Sequence, residues 1–180
     1  SIIEKLVGVI TKGMTDLEEL DLLLADNYFS ARINNLFDQL EVKSDQSELF
    51  ESIRGICRAF FQYDKLTLIL SDNGKNAKIK LVDGIREDAD EGQDFNLDNS
   101  LHGLAVKKNK LINSNSWIEN FPELYRFFPG DKEKFNFMSI LSSPIKSKKS
   151  SIGAITLERL KSRRYSKTDE KLLELLCNTV

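Results

Sequence analysis

The sequence predicts an α+β fold in which helices cover one face of an antiparallel sheet. Three observations predict it: two β-hairpin patterns, helical patterns at both ends, and no alternation of single strands with helices. The last observation argues against a parallel doubly wound sheet, which needs repeated strand–helix units. The long connection between the hairpins, residues 83–137, is expected to cover the other face. We call it the excursion, and a cavity between sheet and excursion is a common type of ligand site.

Each hairpin is predicted by alternating apolar residues on both sides of a turn. In the first, residues 64–71 and 77–81 alternate around Asp72-Asn73-Gly74, which is a strong turn signal. In the second, residues 138–145 and 151–160 flank a turn rich in lysine and serine. A further short strand is expected near residues 95–97 and another at 110–113.

Polar residues suited to helix N-caps precede the helices predicted for the globular part. They are Ser44 or Asp45, Asn99 or Ser100, Ser116, and Ser166. Ser116 predicts a helix that runs to Phe128, ahead of Pro129-Gly130. Ser166 with Asp169 resembles a capping box that uses Asp in place of Glu.

Residues 1–43 are predicted to form a separate helical segment ahead of a globular domain at 44–180. Apolar residues from Phe29 to Leu40 are spaced by four, three and four. That spacing fits a seam between two chains, as in a coiled coil, or a stripe that packs on the domain's own sheet. We expect a homodimer formed through the terminal helices.

Composition excludes several classes of protein. The chain of 180 residues has a formal net charge of -2, too small to argue for bulk attraction to nucleic acid or membrane, and we expect neither as a partner. No apolar run is long enough to span a bilayer, and the start lacks the features of a signal peptide. Cys57 and Cys177 are expected to be buried free thiols of a reducing compartment, so we expect a cytoplasmic protein.

His102 is the only histidine, which excludes a metal site built on histidines, and we expect no metal and no catalytic residues. The two ends fall inside apolar, helix-like stretches. We therefore expect a fragment of a longer protein whose output domain lies outside it.

Four stretches together resemble the GAF domain, a sensory and regulatory module of signalling proteins. They are residues 100–106 with 110–113, residues 139–145, residues 152–157 and residues 165–173. The resemblance implies a six-stranded antiparallel sheet, N- and C-terminal helices on one face, and a small-molecule pocket beneath the excursion. It also implies terminal helices that dimerise and relay a signal, here in a bacterial-type signalling protein.

Departures from the family pattern argue against several known classes of GAF ligand. They do not identify the ligand, and the cofactor stays unknown. Glu158-Arg159 stand where cyclic-nucleotide binders often have Asn-Lys, and we expect Arg159 to approach Asp169 instead. No Cys neighbours His102, which argues against a bilin. The excursion holds no Cys, which argues against reduction of free methionine sulfoxide.

The candidate ligand-binding residues come mainly from the excursion. They are His102, Asn96, Ser100, Asn113, Ser114, Trp117, Phe121, Tyr125, Ser139 and Leu141. His102 is interpreted either as a ligand contact, haem ligation included, or as a partly exposed residue near a helix start. The aromatic residues either line a cavity or fill it. In the second case the domain is a ligand-free structural dimerisation module.

Two charged clusters are each interpreted either as a functional element or as ordinary solvent-exposed surface. The acidic loop 87–98 fails the EF-hand pattern, because Gln93 and Asn99 occupy the positions that need Gly and Glu. It is a solvated surface loop or a lid. A basic cluster across two turns is either a phosphate site or a solvated rim. Its members are Lys146, Lys148, Lys149, Lys161, Arg163 and Arg164.

Overall fold

A computed structural model describes residues 45–71, 74–86, 89–131, 136–147 and 150–179. These lie within one compact unit, Lys43–Val180. The elements, in chain order, are α1 (Gln46–Phe60), β1 (Lys65–Leu70), β2 (Asn76–Gly84), β3 (Asp94–Asn96), α2 (Leu101–Lys108), β4 (Ile112–Ser114), α3 (Trp117–Asn120), β5 (Ser139–Ser147), β6 (Ser150–Arg159) and α4 (Lys167–Thr179). The predictions for residues 1–43, and the Ser44 cap, fall outside the described residues.

The six strands form one antiparallel sheet in the order β3-β2-β1-β6-β5-β4. The predicted α+β fold class and the two hairpins are confirmed, and β6 pairs with β1 to join the hairpins at the centre of the sheet. Both central strands are buried along most of their length, as expected for a sheet covered on both faces.

Strand register defines two faces of this sheet. Glu158 lies opposite Lys65 on one neighbouring strand and opposite Ile140 on the other, so these side chains share a face. Leu157 and its partners therefore project from the other face, because successive side chains alternate. The Glu158 face is called the excursion face, and the other the helix face.

Contacts assign a helix to each face. His102 in α2 contacts Glu158, so α2 covers the excursion face. Cys177 in α4 donates from Sγ to the Ser143 carbonyl at 3.4 Å. Asn113 in β4 pairs with Leu141 of β5, so it projects from the same face as Leu141, and it donates to Glu170 of α4. The C-terminal helix therefore covers the helix face, as predicted.

Side-chain caps set the starts of three helices where the sequence predicts them, but Ser116, the predicted cap of α3, makes no side-chain capping hydrogen bond. Asp45 Oδ1 accepts from the Ser47 amide at 3.0 Å, and Ser100 Oγ accepts from the Gly103 amide at 3.1 Å. The capping box at α4 is present, since Asp169 Oδ2 accepts from the Ser166 amide and Ser166 Oγ accepts from the Asp169 amide.

The helix predicted from Ser116 to Phe128 is wrong in length. The helix α3 covers only Trp117–Asn120. Pro122 lacks the amide hydrogen that the next turn needs, and it disfavours helical geometry at Phe121. The chain after Asn120 therefore becomes irregular, and this change of path lets the following residues turn toward the sheet.

The basic cluster predicted across two turns is divided between opposite ends of a hairpin. Lys146 lies near the β5–β6 turn, whereas Lys161 follows the far end of β6. Nine residues of strand separate the two turns by roughly 30 Å. Lys148 and Lys149 lie outside the described residues. The two groups of cations therefore cannot act on one ligand.

Candidate functional site

A buried ionic cluster lies on the excursion face. Arg126 Nε donates to Glu158 Oε1 at 2.8 Å, and Arg126 Nη2 donates to Oε2 at 2.5 Å. His102 Nε2 lies 3.2 Å from the same Oε2, and its ring stacks on Phe127 with centroids 3.8 Å apart. Arg126, Glu158 and His102 are all fully buried. The bidentate geometry compensates the carboxylate that Glu158 places in the interior.

Asp131 positions Arg126 for this contact. Its carboxylate accepts the amides of Arg126, Phe127 and Phe128 at 2.8, 2.6 and 2.8 Å. Three consecutive amides around one carboxylate fix the local backbone. The Arg126 guanidinium and the Phe127 ring are thereby presented to the sheet from an irregular segment.

Burial and charge act in opposite directions on the ionisable groups. Burial lowers the pKa of His102 below its ordinary value, although the Glu158 carboxylate opposes that shift. Burial alone would raise the pKa of Glu158, but the charge and hydrogen bonds of Arg126, with the hydrogen bond of His102, outweigh burial and hold that pKa well below its usual range. The cluster at neutral pH is therefore an ionised Glu158–Arg126 pair beside a neutral imidazole.

Neutral His102 leaves one ring nitrogen able to accept a hydrogen bond. Because Nε2 faces a carboxylate, it carries the hydrogen, and Nδ1 is then the acceptor. His102 Nδ1 and Thr67 Oγ1 are buried atoms with no hydrogen-bond partner among the described residues. Thr67 lies opposite Thr156, whose hydroxyl is paired with Ser142 at 2.7 Å. An acceptor and a hydroxyl thus remain available on the excursion face.

Aromatic side chains pack tightly beside this cluster. Trp117 is fully buried, and its Nε1 donates to the Phe137 carbonyl at 2.7 Å. Phe127 and Phe137 are each 1% exposed, and Phe121 is half-buried. The space between this part of the sheet and the excursion is filled with side chains. Phe135 lies outside the described residues.

The structure brings together only some of the sequence-predicted residues. His102, Trp117 and Phe121 lie between α2, α3 and the excursion face. Ser100 is buried nearby but serves as the cap of α2. His102 is fully buried, so its interpretation as a partly exposed helix-start residue is wrong.

Three predicted residues lie on the helix-face phase of their strands. Leu141 pairs with Leu157 and is buried on the helix face. Asn113 donates to the Tyr165 carbonyl at 2.9 Å and to Glu170 at 2.7 Å. These strand residues, with Ser139, do not meet His102, because the sheet separates the two faces.

The remaining predicted residues occupy the edges of the excursion. Asn96 is exposed, and its Oδ1 accepts from the Asp98 amide at 2.7 Å. The Tyr125 hydroxyl donates to the Asp98 carbonyl at 2.8 Å. Ser114 is buried and accepts from the Asn120 amide group at 2.7 Å. These contacts hold the excursion's own segments together.

The expected contact between Arg159 and Asp169 is absent. Arg159 instead donates to the Gln62 carbonyl at 2.8 Å and stacks on the Tyr165 ring at 3.8 Å. Asp169 is used by the Ser166 capping box. Arg159 therefore ties the end of β6 to the segment after α1, whereas Asp169 serves α4.

Sequence reasoning overlooked Lys65, Thr67, Arg126 and Glu158 as members of the site. Strand alternation carried a signal for three of them, because polar side chains recur at the buried phase of two central strands. Arg126 has no comparable signal, since it belongs to an irregular segment where no periodicity applies.

No group of three or more His, Cys, Asp or Glu side chains among the described residues has the arrangement to hold a metal ion. Within the same part of the chain, no helix combines the length and apolar character needed to cross a bilayer.

Comparison with known proteins rests on structure alone. No protein-family model matches the sequence, and no curated protein matches it. The GAF domain of an Acinetobacter phosphoenolpyruvate-protein phosphotransferase is similar, with a TM-score of 0.71 at 15% identity over 85% of this chain and 90% of that one.

Two other solved structures show the range of proteins that share this architecture. The GAF domain of a two-component sensor histidine kinase from Bacillus halodurans has a TM-score of 0.59 at 19% identity, covering 77% of this chain and 95% of that chain. A type II free methionine-R-sulfoxide reductase from Thermoplasma acidophilum has a TM-score of 0.60 at 22% identity, covering 79% and 90%. Regulatory domains and enzymes thus both occur among similar structures, and the chain has the GAF fold.

Proposed function

We propose that this chain is the sensory or regulatory module of a longer bacterial-type signalling protein in the cytoplasm. A small polar molecule binds between the sheet and the excursion, and the terminal helices of a homodimer pass the change to an attached output domain. The GAF fold is consistent with this role, since a similar domain occurs in a sensor histidine kinase. Relay of a signal requires that the ligand bind two arrangements of those helices with different affinity.

The observation that carries the proposal is the pair of unsatisfied buried atoms, His102 Nδ1 and Thr67 Oγ1. Unsatisfied buried polar atoms are costly, and native proteins keep few of them. A ligand with an N–H or O–H group satisfies the Nδ1 acceptor, and the Thr67 hydroxyl offers a second contact. Movement of the segment that carries Arg126 gives access, because that segment is irregular and covers Glu158.

The proposed role is non-catalytic. Burial raises the pKa of the Cys57 thiol far above its usual range and that of the Cys177 thiol to about 12, so neither is a ready nucleophile. Cys177 lies on α4, which covers the face of the sheet opposite His102. Neither thiol therefore supports a reductase activity on the excursion face.

A second candidate is a ligand-free structural dimerisation module. Complete burial of Trp117, together with 1% exposure of Phe137, favours it, because these rings occupy space that a ligand needs. In this case the Arg126–Glu158 pair permanently holds the excursion against the sheet, and the only function of the domain is subunit association.

Native mass spectrometry of the chain purified from its own host distinguishes the two candidates. The sensory proposal predicts a non-covalent adduct that denaturation removes and that Thr67→Val and His102→Gln abolish. Thr168→Val, an exposed change on α4, is the matched control and keeps the adduct. If every preparation shows only the mass of the polypeptide, with no adduct, that result contradicts the sensory proposal and favours the structural module. The same spectrum reports whether the chain is a dimer.

A further inference from the structure

A basic groove lies at the end of the sheet where β6 meets α1 and α4. Its volume is about 700 Å³, and its lining includes Arg58, Leu160, Lys161 and Arg163. A smaller cleft of about 320 Å³ shares Arg163 with it and extends toward the start of α4. The two cavities share Gln62, Arg159 and Arg163, so they adjoin one another; the Glu158 side chain projects from the excursion face, whereas Arg159 lies on the helix-face phase of β6. We call the two cavities together the basic groove.

Three cations beside the groove form no salt bridge in the described part of the chain, although Arg164 lies close enough to Glu170 to lower the pKa of that carboxyl. Lys161, Arg163 and Arg164 are exposed, and their side chains make no ion pair or hydrogen bond with any described residue. Two of the carboxylates that line the groove make local hydrogen bonds. Asp83 accepts from Arg58 and Tyr63, and Asp64 accepts from the Leu160 amide. The cations that line the two cavities outnumber the carboxylates Asp64, Asp83 and Asp169, so the groove carries an excess of positive charge.

The backbone of the loop that carries these cations is held by hydrogen bonds to distant parts of the chain. Ser139 Oγ donates to the Lys161 carbonyl at 2.8 Å and accepts from the Arg163 amide at 2.7 Å. Ser162 Oγ donates to the Asn115 carbonyl at 2.8 Å. These bonds fix the backbone of the loop, which lowers the backbone entropy lost when a partner binds.

The openness of the groove favours an extended chain over a small ligand. Small-molecule sites enclose most of their ligand, whereas here Leu160 is 43% exposed and the Arg58 side chain 64% exposed. Leu160 supplies an apolar contact among cations, a combination that suits a peptide with both acidic and apolar residues. We propose that the basic groove docks an acidic peptide segment of a partner protein.

Fluorescence anisotropy with the full 180-residue chain tests this. The probe is a labelled peptide of Glu-Glu-Leu repeats, and the reference peptide has Gln in place of Glu. We expect the acidic peptide alone to bind, and its affinity to fall about tenfold when salt rises from about 50 mM to about 300 mM. Absence of binding by the acidic peptide, or equal binding of the Gln peptide, overturns the proposal.

Matched double variants locate the binding. Arg163→Glu/Arg164→Glu weakens acidic-peptide binding about tenfold or more, because two attractive charges become repulsive. Lys110→Glu/Lys146→Glu changes the net charge equally and leaves binding near the unmodified value. Both control positions are exposed, and Lys146 lies at the other end of the hairpin. Equal losses in the two double variants indicate bulk charge attraction and overturn the proposal.

Competition with inorganic tripolyphosphate distinguishes a small anion from a peptide. Weak competition at high concentration agrees with a site built for an extended chain. Tripolyphosphate binding that is tighter than peptide binding, and that Arg163→Glu/Arg164→Glu removes, assigns the groove to phosphate compounds and overturns the peptide proposal. Circular dichroism confirms that both double variants are folded.

Discussion

At the scale of single residues, His102 couples stability to pH. It is the only histidine in the chain, it is fully buried, and burial lowers its pKa. The unfolded chain binds a proton near pH 6.5, whereas the folded chain resists it. The unfolded state therefore gains protons first as pH falls, and folding stability decreases.

We expect the free energy of unfolding to drop between about pH 7.5 and about pH 5.5, by at most about 1.4 kcal/mol, the limit for a histidine that takes up no proton in the folded state over this window. The groups with lowered carboxyl pKa values, Glu158 among them, contribute full stability throughout this window, because they lose it only when the pH falls below the ordinary carboxyl range. Urea denaturation at several pH values measures the change. His102→Gln keeps a donor toward Glu158 but cannot titrate, so its stability should be flat over the window. A slope that persists in this variant contradicts the assignment to His102.

At the scale of elements, the Asp131 carboxylate provides the hydrogen bonds that a longer helix would have provided, because Pro122 prevents that helix. The predicted helix to Phe128 would have satisfied its amides internally, but the chain beyond Asn120 is irregular. The Asp131 carboxylate instead accepts three buried or half-buried amides. One side chain thus supplies the order that regular secondary structure would otherwise give, and it fixes where Arg126 points.

Asp131→Ala is expected to lower the free energy of unfolding by about 2–4 kcal/mol. The substitution removes a charged acceptor and leaves its amide donors without a hydrogen-bond partner. Asp90→Ala, an exposed aspartate in the same excursion, is the control and should change stability by less than about 0.5 kcal/mol. Thermal and urea denaturation provide the measurements. Similar small losses in both variants would show that the Asp131 amide bonds contribute little.

At the scale of the whole molecule, the sheet separates two differently built layers. The strands and caps that build the helix face were predictable, because strand alternation and helix caps depend on local sequence, although Asn113, Ser139 and Leu141 were assigned to the wrong face. The excursion face joins Lys65, Arg126 and Glu158, which are separated by tens of residues, and only the inward phase of Lys65 and Glu158 hinted at it. Arg126 reaches the sheet because the helix ends before Pro122 and because the Asp131 carboxylate fixes the backbone around Arg126. Such long-range contacts of irregular backbone leave no periodic pattern in a sequence.

This two-layer arrangement predicts that the excursion opens before the sheet when its ionic attachment is broken. Arg126→Met leaves the buried Glu158 carboxylate beside His102 and its cross-strand neighbour Lys65 but without its bidentate partner, at a cost of about 3 kcal/mol. In hydrogen exchange, amides of α2 (Leu101–Lys108) should lose protection on the order of a hundredfold, whereas those of β1 (Lys65–Leu70) lose less. The double variant Arg126→Met/Glu158→Met should recover most of the protection, because no buried charge is left without its partner from this pair. An equal loss of protection in α2 and β1 would mean that sheet and excursion unfold as one unit.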